Sequence, residues 1–311
     1  MLAGLFADDF PERVDAMVVK EFRQGSRAKR FVVPFIGVHL LMLGMTMLEW
    51  WDLSDGTADF VIFSEGARRF AATFWVPVAL TLMVGVPFSR LFDLQQEFNG
   101  RNAELLLLSG VDRWKIVRGK WMASVLINLL VLVSALPYLM VRYFFGGMEW
   151  APNLVIGIWV IVIGGVMSAL AIGASSFANT LARIGMLIGG ILANSLLVTI
   201  PSLLLAGLVD VAGTDWFVLT MLAGNALCAA IPLSILGLQM ARVRLRSYED
   251  PHDPAPRSQV VVLYLFCPVL IGLPALMCGV PGIASSLLFS WIALLIDKAP
   301  KTDERAHYAQ Q

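Results

Sequence analysis

The stretch NAELLLLSGVDRWKIVRGKW, Asn102–Trp121, decides how this chain is read. It lies in a polar segment between two long apolar runs. Asn99-Gly100 breaks the chain ahead of it. Asn102 is placed to cap a short helix, and Glu104 in the first turn favours the positive helix end. The predicted helix covers Ala103–Leu108 and stops at Gly110. Asp112 can then cap a second helix, which continues through Trp114, Ile116 and Val117 into the next apolar run. A helix of under two turns is not stable alone in water. The consecutive Leu105, Leu106, Leu107 and Leu108 need more cover than the loop supplies, so they rest either on the chain's own inner face or on another protein.

The surrounding chain is unusually apolar. Hydrophobic residues make up 58% of it and the mean hydropathy is +0.75, above the roughly 45–50% apolar usage of soluble domains. A bilayer core about 30 Å thick takes about 20 apolar residues per helix. Runs of that kind are Phe31–Trp50, Phe70–Ser89, Met122–Tyr143, Leu154–Phe177, Ile184–Val209 and Trp216–Met240. Val260–Ile296 is long enough for two more, turning at Cys278–Gly282, or for a re-entrant hairpin. The expected fold is therefore all-α: a polytopic helical membrane protein of about eight transmembrane helices, a six-helix core plus a C-terminal hairpin, preceded by an N-terminal interfacial helix.

Orientation follows from Lys and Arg. Of 23 such residues, only Arg68, Arg69 and Arg142 fall outside the N-terminal segment, the alternate loops and the tail. Both termini are thus expected to be cytoplasmic. The net charge of zero averages a basic inner face with acidic outer loops that include Asp52, Asp55, Glu65 and Asp215. No secretory signal is evident, since the first apolar run follows a charged amphipathic segment without a cleavage motif. Cys228, Cys267 and Cys278 lie within apolar runs and read as small core residues. His39, His252 and His307 are scattered, with no metal-ligand spacing.

At the N-terminus, Asp9 and Pro11 suit a helix start. Val14, Met17, Val18 and Phe22 then recur at helical spacing, with Arg13, Lys20, Arg23 and Arg27 on other faces. Such a stripe flanked by cations fits a helix in the headgroup plane, favoured by anionic membrane lipids, or one packed on the protein. Trp50, Trp51, Trp121, Trp150 and Trp216 fall at run ends, as interfacial belts do. Gly165, Ala169 and Gly173, and again Gly185, Gly189 and Ala193, form small faces that let helices approach closely, within one chain or between subunits.

The segment VVKEFRQGSRAKRF before the first span resembles the elbow of the membrane subunit of ABC transporters of the type-2 permease family. AELLLLSGVDRWKIVRGKWMASVL is similar to that family's segment between spans two and three, and Pro137 followed by Gly146-Gly147 also matches. The resemblance covers about residues 15–150; the rest agrees in topology alone. It implies that the short helix is a coupling helix docking on a separate ATPase, with Glu104, Leu105, Leu106, Leu107 and Leu108 as the docking surface. Gly119 would allow tight packing where the chain enters the membrane, and Lys120 would sit at headgroup level. Two features depart from the family. QQEFNGRNAE keeps Glu97 and Gly100 of an E-R-E-x-G-T-like stretch but not its continuation, and the C-terminal hairpin follows the basic segment Arg242–Arg246 as an addition to six spans. The organisation expected is a cytoplasmic elbow over 1–30, a six-span core over 31–245 with the coupling helix near 102–109, a cytoplasmic loop over 246–258, the hairpin over 259–297 and a tail over 298–311.

The chain carries no P-loop, because Lys120 is followed by Trp121 and opens no strand-to-helix turn. No acid–base or nucleophilic set is visible, and the run interiors hold no Asp, Glu or Lys, with Arg142 near a span end. These features argue against an enzyme, a proton-coupled carrier and any resident cofactor or metal. Polar residues in or near the middle spans, such as Ser134, Ser168, Ser175, Ser176 and Asn179, suit interhelical hydrogen bonds. An interior of this kind suits an amphipathic or lipid-like cargo. The leading expectation is the permease subunit of an ATP-driven exporter in a cell membrane, a bacterial inner membrane by topology. It would be paired with a second permease subunit, in a homo- or heterodimer, and an ABC-type ATPase, with no nucleic-acid partner. The rival is a non-transporting membrane scaffold for a cytoplasmic complex; a lipid-modifying enzyme ranks third.

Overall fold

The computed structural model describes residues 16–54, 74–94, 113–144, 150–177, 179–192 and 230–243, with short stretches at 245, 260–262, 266, 284 and 287–292. Every regular element among them is helical, and no strand occurs among the described residues. The main helices are α1 (Ala16–Arg27), α2 (Lys29–Ser54), α3 (Phe74–Arg90), α4 (Arg113–Phe144), α5 (Trp150–Ser175), α6 (Thr180–Leu192) and α7 (Ala230–Val243). Packing divides the chain after Ala178, so α1–α5 form one unit and α6 and α7 belong to a second.

Among the described residues α4 and the Ile156–Ser175 part of α5 are long and apolar enough to cross a membrane. The bent pair α1–α2, angled at 61°, makes a third if it counts as one span. The count of eight is not shown: α3, over the run Phe70–Ser89, is one of the shorter apolar helices, and most of the later runs lie outside the described residues. At 1.5 Å per residue α4 is about 48 Å long, well beyond a hydrocarbon core of about 30 Å. The basic turns Arg113–Lys120 and the apolar residues after them form one unbroken helix. Pro137 lies inside α4 without ending it.

The helices pair through residues four apart, one helical turn. Val38 and Met42 of α2, Val78, Leu82 and Val86 of α3, and Ile127, Val131 and Ala135 of α4 share one core with Val160 of α5. Register follows from specific contacts. Trp121 donates through Nε1 to the Gly165 carbonyl at 2.9 Å, and Gly157 faces Leu132, so α4 and α5 run antiparallel. At the other end Trp75 Nε1 donates to Asn153 Oδ1 at 2.8 Å, and the Arg142 guanidinium lies 4.6 Å from the centre of the Phe74 ring. These contacts anchor the start of α3 to the end of α4 and the start of α5. His39 is a packing residue: its Nδ1 lies 2.8 Å from the Phe35 carbonyl, and its ring continues a column from Phe31 and Phe35 to Tyr138.

Part of the small face on α5 is filled by α4, since Gly165 sits against Val125. On α6, nothing among the described residues lies within 4 Å of a Cβ built at Gly185 or Gly189. The middle of α3 departs from regular geometry. Residues Thr81–Gly85 wind as a π turn, in which the Val86 N–H reaches back five residues to the Thr81 carbonyl. Pro87 follows at once and is buried.

Candidate functional site

Three helices meet where the polar segment begins and ends. The sequence of α1 places Met17, Val18, Glu21, Phe22 and Gly25 along one side, so a carboxylate and a glycine interrupt an otherwise apolar stripe. Val18 and Glu21 are buried, whereas Arg23, Arg27 and Lys29 are exposed. From α4, Lys120 Nζ donates to Glu21 Oε1 at 3.1 Å, and the two side chains are 2% and 6% exposed. From the end of α3, Arg90 Nη1 lies 2.9 Å from Asp93 Oδ2 and 3.9 Å from Glu21 Oε2.

The four charges balance as two carboxylates and two cations, which is what allows them to be buried together. Balance is not full satisfaction. Arg90 Nε and Nη2 are buried and make no hydrogen bond among the described residues. Their position is set by Gly25, where an added Cβ would lie 2.7 Å from Arg90 Nη2 and 2.9 Å from Ile127 Cδ1. A second glycine brings α4 against α1: a Cβ on Gly119 would lie 2.8 Å from Met17 Cγ and 3.2 Å from Met17 Cβ. The two close approaches lie on opposite helices, and each requires the missing side chain. Outside this junction Lys115 and Arg118 are exposed, with Arg118 stacked 5.9 Å from the Trp114 ring.

Arg90 and Asp93 stand just before the polar segment 95–112, and Gly119 and Lys120 just after it. Glu21 therefore ties both stems of that segment to α1. The ion pairs join α1, α3 and α4 at this point.

Of the site residues expected from sequence, Gly119 and Lys120 belong to this junction: Gly119 is packed under Met17, and Lys120 is buried and ion-paired. Glu104, Leu105, Leu106, Leu107 and Leu108 lie outside the described residues. Sequence reading missed Glu21, Arg90 and Asp93. The signal for Glu21 was present, since an acid four residues from Met17 and four from Gly25 shares their face. It also missed Asn128, which is completely buried on α4 amid LINLL. Among the described residues no group of His, Cys, Asp and Glu is placed to hold a metal ion. No protein-family model matches this chain, and no curated protein or solved structure matches it.

Proposed function

We propose that the chain is the membrane-spanning subunit of an ATP-driven transporter, an exporter by the resemblance of its loop and elbow segments, with about eight spans and both termini in the cytoplasm. The observation that carries this reading is the buried junction of Glu21, Arg90, Asp93 and Lys120, which binds both stems of segment 95–112 to α1. A segment that only linked two spans would not need both its ends clamped to a third helix by buried charges. A segment that transmits force does, because slack at either stem would dissipate the displacement.

In this reading Glu104 and Leu105–Leu108 dock on a separate ATPase subunit. Closure of paired ATPases presses on the short helix, and the junction moves α1, the end of α3 and the start of α4 as one rigid body. A second permease copy, identical or homologous, completes the pathway. The lack of ionisable side chains along the run interiors suits amphipathic or lipid-like cargo moving along the protein surface.

The test is a mild-detergent pull-down of the tagged full-length chain with an ATPase assay. A stoichiometric nucleotide-binding partner, lost on Leu106→Asp and weakened by Glu104→Lys while the permease stays monodisperse, supports the proposal. A clean preparation with no such partner overturns it and leaves the membrane scaffold as the better reading.

A further inference from the structure

The π turn of α3 faces an unusual pair of partners. In the π register the Thr81 carbonyl takes the Val86 N–H. The donor five residues beyond Leu82 is Pro87, which has no N–H to give. The Leu82 carbonyl therefore cannot take a π-register bond from residue 87. That oxygen is directed at α5: a Cβ built on Gly164 would lie 3.0 Å from Leu82 O and 2.8 Å from Asn128 Nδ2. Asn128 is completely buried, and neither its Nδ2 nor its Oδ1 has a hydrogen-bond partner among the described residues.

A primary amide without a partner among the described residues and a backbone carbonyl, both on fully buried residues, converge on one glycine. Buried polar groups are normally bonded, because leaving them bare carries a desolvation penalty. The amide has N–H to give, and a carbonyl oxygen with two lone pairs can accept it.

We propose that Leu82 O and Asn128 Nδ2 are the two halves of an interhelical latch, open in this conformation, and that the π turn of α3 is the hinge it controls. The hinge has a defined place. Before it, Phe74 and Trp75 are held by Arg142 and Asn153. After it, Arg90 is held by Glu21 and Asp93. The π turn is the irregular element between two fixed ends, and it allows the later part of α3 to move with α1 and the start of α4 while the earlier part stays with the end of α4 and the start of α5. Closing the latch brings α3 toward α4 across the gap that Gly164 leaves. The hinge rests on the packing of α3, α4 and α5 and does not depend on the transport reading.

The test uses the full-length chain in lipid nanodiscs, with Cys228, Cys267 and Cys278 replaced by Ala and spin labels at Phe88→Cys and Ile158→Cys. Both labelled positions are exposed, on the later part of α3 and on α5. Double electron–electron resonance should resolve two distance populations in the parent. Asn128→Leu, which removes the donor, should deplete the latched population by about threefold to tenfold, in line with the strength of hydrogen bonds between membrane helices. Gly164→Ala, which wedges a methyl group between donor and acceptor, should deplete the same population; whichever variant folds decides the matter. A single distance in the parent, or two populations whose ratio neither variant changes, overturns the proposal.

Discussion

Replacing Lys120 by Met removes the cation 3.1 Å from Glu21 Oε1 and strands a carboxylate whose side chain is only 6% exposed. Breaking a buried ion pair by deleting one partner costs about 3–5 kcal/mol, because the remaining charge has neither water nor a counterion. Arg90 still lies 3.9 Å from Glu21 Oε2, which places Lys120→Met near the low end, at about 3 kcal/mol. Glu21→Leu is worse. It removes the carboxylate that faces both Lys120 and Arg90, for a loss of about 4–5 kcal/mol. Making both changes replaces the pair with apolar side chains, which is often close to neutral. The double variant should therefore recover at least about 2 kcal/mol relative to the worse single one. Reversible unfolding by SDS in mixed micelles, followed by tryptophan fluorescence, measures this, since Trp114 and Trp121 flank Lys120 along α4. Two results refute the reasoning: single variants within about 0.5 kcal/mol of the parent, as at ordinary surface sites, or a double variant no more stable than Glu21→Leu.

Gly119→Ala puts a methyl group 2.8 Å from Met17 Cγ and should cost about 1–3 kcal/mol as overpacking. Gly189→Ala, with nothing among the described residues within 4 Å of the added methyl group, should be neutral or stabilising by up to about 1 kcal/mol through helix propensity. The same SDS titration compares the two, and equal effects would show that α1 does not press on Gly119. Trp75→Phe deletes the bond to Asn153 and should cost about 1 kcal/mol, with a smaller loss in an Asn153→Leu background. For docking, Leu106→Asp should abolish ATPase co-purification while leaving unfolding unchanged.

The run of α4 from Arg113 was legible because Asp112 announces a helix start and no breaker separates Trp114 from the apolar residues that follow. The stripe of α1 was legible for the same periodic reason, since Val18 is buried where the pattern puts it. Glu21 was not, because an acid among Lys20, Arg23 and Arg27 reads as part of a solvated face. Its place on the face of Met17 and Gly25 hinted otherwise, and the approach of Lys120, 99 residues away, shows that it is covered. Arg90 and Asp93 were hidden similarly, since at the edge of an apolar run they look like ordinary loop charges. Pro87 was visible in the sequence, yet the π register it accompanies depends on how α3 packs. Asn128 was overlooked because one amide among leucines hardly changes a hydropathy average. The geometry of Glu104–Leu108 lies outside the described residues, so the loop reading still rests on the residues themselves.

The Glu21 carboxylate also imposes an order of events on biogenesis. It leaves the ribosome 99 residues ahead of the amine that neutralises it, a delay of about 5–20 s at typical elongation rates. During that interval α1 carries an acid without its nearest counterion, which favours its staying in water or among headgroups rather than closing on the spans. Complete neutralisation of Glu21 therefore waits until Lys120, at the start of α4, has been made. A chain arrested before Lys120 would expose the apolar side of α1, giving quality-control proteases a marker of unfinished synthesis.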